Sequence, residues 1–166
     1  MSDIPSDASS FDSAKYRQVL GHFPTGVTVI TAVADGVPVG MAIGSFASLS
    51  LDPAQVLFCP AKTSSSWPRI QAAGKFCVNL LAESQEDVCR VFASKATDKF
   101  AEIGWKHSGN GAPLLEGVLG YIDCTIEKVV ASGDHDGVIG AVTDLDVMHE
   151  GGPLLFFRGG YGRFQI

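Results

Sequence analysis

Apolar and polar positions along this chain fall mainly into short runs of two-residue period, with a few brief runs of helical period. From Val27 to Thr31 every residue is β-branched, the composition of a buried pleated strand. Asp35-Gly36 is a tight hairpin signal and separates strands predicted at residues 26–34 and 37–47. Upstream, Tyr16, Val19, Leu20 and Phe23 recur at i, i+3, i+4 and i+7, which predicts a short helix capped by Asp12 or Ser13 and weakened at its end by Gly21. Ser50-Leu51-Asp52-Pro53 interrupts the strand pattern, and Gln55–Cys59 reads as a short apolar strand. Lys62–Ser66 is a polar loop whose Ser65 or Ser66 would cap a helix running through Arg69 to Ala73 and ending at Gly74.

Lys75–Leu81 reads as a strand. Ser84 and Asp87 then resemble a capping box ahead of a helix reaching Ala93. Residues 94–113 are irregular and polar around Trp105, the look of a long surface excursion. Strands resume at residues 118–130, 137–148 and 153–158. Six or seven short strands joined mostly by hairpins, with three short helices, predict a mainly β fold built as an antiparallel barrel. No G-x-G-x-x-G opens a helix after a strand, so a nucleotide would not be held by a Rossmann unit. The domain is expected to occupy residues 13–166, after a disordered polar lead-in at residues 1–12.

Composition narrows the function classes. The chain has 166 residues, 46% hydrophobic and 18% charged, with a formal net charge of −6. That balance suits a globular core and disfavours nucleic acid or an anionic membrane as partner. No run approaches the roughly 20 apolar residues of a membrane span. The opening MSDIPSDASS lacks the charged and apolar regions of a signal peptide, so a cytoplasmic protein is expected. Cys59, Cys77, Cys89 and Cys124 are far apart and in apolar surroundings, as buried free thiols would be. His22, His107, His135 and His149 make no metal-ligand spacing, and no metal is expected.

Five segments carry candidate chemistry. In the second strand, small residues (Gly40, Ala42, Gly44, Ser45) alternate with apolar ones, and Ser45, Ser48 and Ser50 add hydroxyls. Small side chains let something approach the backbone closely, and a flat, polar-edged ligand with a phosphate tail, such as a flavin, would suit. Lys62-Thr63-Ser64-Ser65-Ser66 is either a phosphate-binding helix start or an ordinary capped loop. Lys95 and Lys99, four apart, either reach a phosphate or form a solvated pair. Gly133-Asp134-His135-Asp136 is a turn whose histidine is either exposed or a proton donor and ligand contact. Phe156-Phe157-Arg158-Gly159-Gly160-Tyr161 is either core strand or a nucleotide contact. No nucleophile-elbow motif supports hydrolase chemistry.

Taken in order, FPTGVTVITA, VGMAIGSFASLSLDP, VLFCPAKTSSSW, GKFCVNLL, FASKATDKF, APLLEGVLGYIDC, SGDHDGVIGAV and PLLFFRGGYG resemble the flavin reductases that serve two-component flavin-dependent monooxygenases. Within that family the chain looks most similar to the reductase partners of actinobacterial aromatic or steroid-ring hydroxylases. The resemblance implies an antiparallel Greek-key split β-barrel and a homodimer with flavin near the interface. It implies flavin contacts from Pro38, Val39, Gly40, Met41, Ala42, Gly44 and Ser45, with Cys59, Pro60 and Ala61 beside the ring. Ser65 and Ser66 would meet the ribityl-phosphate end, and Phe92 and Lys95 would close over the tail. His135, Phe156, Phe157, Arg158 and Gly159 would receive the nicotinamide nucleotide.

Two departures from the family pattern stand out: Ile43-Gly44 lacks the polar amide or threonine of many relatives, and Ala54 replaces a second proline. The implied activity is reduction of free FMN or FAD by NADH or NADPH through direct hydride transfer, with reduced flavin diffusing to a partner monooxygenase. No side chain need act as nucleophile or base; His135 would position the nucleotide. The alternatives are a non-catalytic flavin carrier or sensor, and a split-barrel flavin oxidase of a bound small substrate. The latter would need clustered arginines, whereas Arg17, Arg69, Arg90, Arg158 and Arg163 are scattered along the chain.

Overall fold

The structure, a computed structural model, describes residues 11–165. The expected lead-in therefore lies almost wholly outside the described residues. In chain order the elements are α1 (Ser13–Leu20), β1 (Thr25–Gly26), β2 (Thr28–Ala34), β3 (Val37–Ile43), β4 (Phe46–Leu51), β5 (Ala54–Phe58), α2 (Trp67–Ala73), β6 (Lys75–Leu80), α3 (Glu86–Ala93), β7 (Trp105–His107), β8 (Pro113–Leu115), β9 (Gly120–Ser132), β10 (His135–Val147), β11 (Leu154–Phe157) and β12 (Gly160–Arg163). All strand pairings are antiparallel.

Seven strands form one sheet in the order β3-β2-β6-β9-β10-β5-β4, beside a three-stranded sheet β1-β11-β12 and the pair β7-β8. β3 and β4 are consecutive in the chain, with only Gly44-Ser45 between them, yet they lie at opposite edges of the sheet. Such a link spans at most about 10 Å. The sheet must therefore curl until its edges meet at that corner, which makes a barrel split between β3 and β4. The Ser45 hydroxyl pins the corner: it donates to the Cys59 carbonyl at 3.0 Å and accepts from the Cys59 amide at 3.1 Å.

Two-residue periodicity sorts the strands onto two cores. Ile30, Ala32 and Ala34 of β2 point into the barrel with Val39, Met41, Phe58, Phe76 and Val78. Val29 and Cys77, on the other face, join Phe92, Phe100, Leu114, Leu115 and Val118. Each large side chain fully buried in this way contributes about 1.5–3 kcal/mol. β2 is covered on both faces because the segment after α3 folds back over it. The 94–113 stretch is thus more than a surface excursion. It carries β7, leads into β8, and is tied down by Asn79, whose amide donates to the Val29 carbonyl (3.1 Å) and Thr31 Oγ1 (3.0 Å) and whose Oδ1 accepts from the Leu115 amide (2.8 Å).

Several local expectations change. The strand expected at 37–47 breaks at Gly44-Ser45 and resumes as β4 through Leu51, so only Asp52-Pro53, joined by a cis peptide, makes the turn. Ser84 does not cap α3. Gln85 is the N-cap residue, and its side chain accepts from the Ala82 amide (2.9 Å) and donates to the Glu116 carbonyl (2.8 Å). Neither Ser65 nor Ser66 caps α2 through its side chain; the Ser64 hydroxyl accepts from the Ser66 and Trp67 amides, each at 3.2 Å. Asp12 caps α1 as expected, accepting from the Ala14 amide at 2.9 Å. The apolar face of α1 is nonetheless uncovered among the described residues, with Tyr16, Val19 and Leu20 all exposed. All four cysteines are free; Cys77, Cys89 and Cys124 are buried and Cys59 is half-buried.

Candidate functional site

Glycine at position 40 is required by packing. A β-carbon there would lie 2.7 Å from Phe92 Cε1 and 2.9 Å from Cδ1. α3 docks on the outer face of β3 through that ring, which is almost wholly buried. The small-residue strand therefore serves two ends. At Gly40 it admits a helix, and from Pro38 to Ala42 it leaves open a groove between β3, the end of α3 and the loop before α2.

The groove consists of two cavities of about 290 and 500 Å³ that share Ser65, Ser66, Lys95 and Lys99. The larger is floored by Met41 and Ala42 and walled by Ala61, Thr63, Ser64, Phe92 and Ala93. The smaller is lined by Pro38, Val39, Gly40, Arg69 and Thr97. Of the residues singled out for flavin, Pro38, Val39, Gly40, Met41, Ala42, Ala61, Ser65, Ser66, Phe92 and Lys95 line this groove. Gly44 instead borders a neighbouring apolar cavity of about 220 Å³. Ser45, Cys59 and Pro60 form the barrel corner and the strand leading to Ala61, and line none of these three cavities.

Positive charge gathers where the two cavities meet: Lys95 and Lys99 line both and Arg69 lines the smaller, and none has a carboxylate within 4.0 Å among the described residues. Lys99 is half-buried; its ammonium donates to the carbonyls of Phe92 (2.9 Å) and Gly40 (3.4 Å). Burial lowers its pKa from the ordinary lysine value. Cations held beside hydroxyls without a carboxylate suit an anion such as a phosphate. The α2 amides add little, because Ser64 occupies those of Ser66 and Trp67 and Pro68 has none. Sequence alone does not single out Arg69. Its signal was helical spacing, which sets it one turn beyond Ser65 and Ser66.

His135 lines none of these cavities but pairs with Ala61, which walls the larger one. Gly133 and Asp134 alone make the turn between β9 and β10, and His135 and Asp136 already belong to β10. His135 bridges to Ala61, flanked by hydrogen bonds from the Lys62 amide to the Asp134 carbonyl (2.9 Å) and from the Asp136 amide to the Pro60 carbonyl (3.0 Å). Its Nδ1 is 2.8 Å from Asp134 Oδ1, a contact that holds the Asp134 carboxyl below its usual range.

Phe156 approaches from elsewhere. It lines the 220 Å³ cavity with Gly44, Cys89 and Tyr161; Ala42 and Ala93 border both that cavity and the main groove. Arg158 and Gly159, with φ of 51° and 79°, are the turn of the β11–β12 hairpin. The Arg158 amide donates to the Gly21 carbonyl at 2.9 Å, and the Phe157 ring meets His22 edge to face. Phe157, Arg158 and Gly159, like His135, line none of the three cavities.

Known proteins share this fold. Residues 20–165 match the family described as "Flavin reductase like domain". The chain is 51% identical to the flavin-dependent monooxygenase reductase subunit HsaB of Rhodococcus jostii over 97% of its own length and 85% of the relative's. It is likewise 51% identical to a flavin reductase of Pseudomonas putida, covering 94% of this chain and 92% of that one. Among solved structures it is similar to nitrilotriacetate monooxygenase component B from Mycobacterium thermoresistibile, with a TM-score of 0.91 and 49% identity over 95% of this chain and 89% of that one. It is also similar to the Streptomyces globisporus NADH:FAD oxidoreductase SgcE6 in complex with NAD and FAD fragments, with a TM-score of 0.89 and 34% identity over 99% and 98% of the two chains. The split barrel, the groove along β3 and these likenesses lead to one assignment: the chain belongs to the flavin reductase family.

Proposed function

We propose that the groove along β3 holds FMN or FAD, that NADH or NADPH reduces it there, and that reduced flavin leaves for a partner monooxygenase. The carrying observation is the pairing of a floor left open at Met41 and Ala42 with three cations, Arg69, Lys95 and Lys99, that have no carboxylate partner among the described residues. The floor accepts a flat ring, and the cations with Ser65 and Ser66 accept its phosphate. When bound, flavin supplies the hydride acceptor. The chain supplies orientation and a dry wall, with Ala61 and Phe92 flanking the floor and His135 paired with Ala61 on the side from which the nicotinamide nucleotide would come. Nothing in this set is a covalent grip, which suits a flavin that is released.

The active unit in this reading is a homodimer. The exposed apolar face of α1, together with exposed Phe156 and Phe157, is the kind of patch a second copy covers. A partner copy would also bring groups to the nucleotide site.

The test mixes purified protein with FMN or FAD and either nicotinamide nucleotide and follows loss of the reduced nicotinamide absorbance. Flavin-dependent loss supports the proposal. Tight flavin binding without turnover by either nucleotide would make the chain a carrier and overturn it.

A further inference from the structure

The β9–β10 ribbon runs past the strand that supports it. β5 pairs with β10 only from Val138 to Ala141. Beyond it, Gly133 to Asp136 are held by hairpin pairing with β9, by backbone bonds to Pro60 and Lys62, and by the side chain of Lys62, from the loop that walls the groove. Its ammonium donates to the Gly133 carbonyl at 2.7 Å and lies 4.0 Å from Asp136 Oδ1. The other oxygen of Asp136 accepts the Trp67 indole N–H at 2.9 Å. Trp67 is buried in the barrel core, edge-on to Phe58 at 5.9 Å between ring centroids. A chain of contacts therefore runs from the core through Trp67 and Asp136 to Lys62 and the turn. His135 is the residue this chain holds beside Ala61.

We infer that Lys62 and Asp136 are positioning residues for the reductase reaction: they clasp the β9–β10 turn so that His135 stays beside Ala61, where the nicotinamide nucleotide meets it. The inference rests on the proposed role of His135. A clasp acts on occupancy. If the turn held His135 in place only a tenth of the time, the apparent affinity for the nucleotide would fall about tenfold while chemistry in the correctly placed fraction stayed the same. Lys62 is exposed enough to be replaced without opening the core, and the indole of Trp67 keeps an acceptor if Asp136 becomes asparagine.

The experiment compares Lys62→Met, Lys62→Arg, Asp136→Asn and His135→Ala in steady-state kinetics, with flavin binding measured separately. Lys62→Met should raise KM for NADH about tenfold, with kcat and flavin affinity within about twofold. Lys62→Arg should restore KM, and Asp136→Asn should raise it by a smaller factor. In the His135→Ala background Lys62→Met should add nothing, because it acts through that residue. Amide exchange at Asp136 should quicken in Lys62→Met, which reads the clasp even where kinetics are masked by poor folding. An unchanged KM in Lys62→Met beside a raised KM in His135→Ala would overturn the clasp and leave the His135 role standing. No effect of His135→Ala would remove both. An equal rise from Lys62→Met with and without His135 would make Lys62 a direct nucleotide contact and overturn positioning.

Discussion

The ring of Phe92 fills the space that a side chain on residue 40 would need. A methyl group there would meet Phe92 Cε1 at 2.7 Å and the Ile30 carbonyl at 3.3 Å. Phe92 cannot retreat easily, since it is wedged edge-on to Phe100 with centroids 5.0 Å apart. Gly40→Ala should therefore destabilise the protein by about 1–3 kcal/mol, the range for overpacking a filled core. It should also weaken flavin binding by displacing α3 from the groove. Combining it with Phe92→Leu should recover part of the loss. Chemical denaturation checks both, and a Gly40→Ala protein as stable as the parent would contradict the packing account.

The cationic part of the groove predicts a selective binding defect. Removing Lys95 or Arg69 should weaken FMN about tenfold, equivalent to about 1.4 kcal/mol, and leave riboflavin, which has no phosphate, nearly unaffected. The same variants should flatten the dependence of FMN affinity on salt. Fluorescence titration with the two flavins gives the comparison. Equal losses for both would move the phosphate away from these cations.

Asn79 predicts a large stability effect far from any ligand. Its amide joins β2, β6 and β8 through bonds to Val29, Thr31 and Leu115, all in the buried interior. Asn79→Leu keeps the volume but strands several buried polar groups, each costing about 1–3 kcal/mol. A total loss of about 2–5 kcal/mol should appear in urea denaturation, and amide exchange should quicken at Leu115. A near-neutral substitution would mean that water or a rearranged backbone satisfies those groups.

High pH should loosen the fold in a defined window. The hydrogen bond to Cys89 pushes the Tyr161 phenol from 10.0 up to about 12, and that to Asp144 does the same for Tyr121. Burial pushes the Cys124 thiol from 9.0 to about 12. Each group has a folded pKa above its unfolded one, so its contribution is complete below the unfolded value and is lost as pH climbs toward 12. Melting temperature should begin to fall near pH 9 and drop further above pH 10. Tyr161→Phe should flatten the upper part of that fall. An identical slope in the variant would remove Tyr161 from the account.

Much of this was legible in local pattern. Asp35-Gly36 marked the β2–β3 hairpin, and both residues adopt positive φ there. Gly74, with φ of 73°, ends α2 where the pattern stops. The eight family-like segments located most of the groove. Relationships across space were hidden. Nothing near Gly40 in the chain says that its neighbour is Phe92, and a lone Asn79 in an apolar strand does not reveal partners 36 to 50 residues away. The periodicity of α1 specifies a helix, but period alone does not say what surface covers its apolar face. Arg69 is isolated along the sequence and meets Lys95 and Lys99 only around the groove.

The corner at Gly44-Ser45 has a mechanical consequence. β3 and β4, the two borders of the sheet, share no ladder, and β3 meets the loop after β5 through α2 packing and through contacts as light as that of Ser64 Oγ with Met41 Sδ at 3.9 Å. The groove lies along that split. Whatever fills it is a suture: it leans on β3 with one side and on the Ala61–Ser66 loop with the other, and couples two borders that the backbone leaves unbonded. Protein with the groove occupied should then resist proteolysis along this line better than protein with the groove empty.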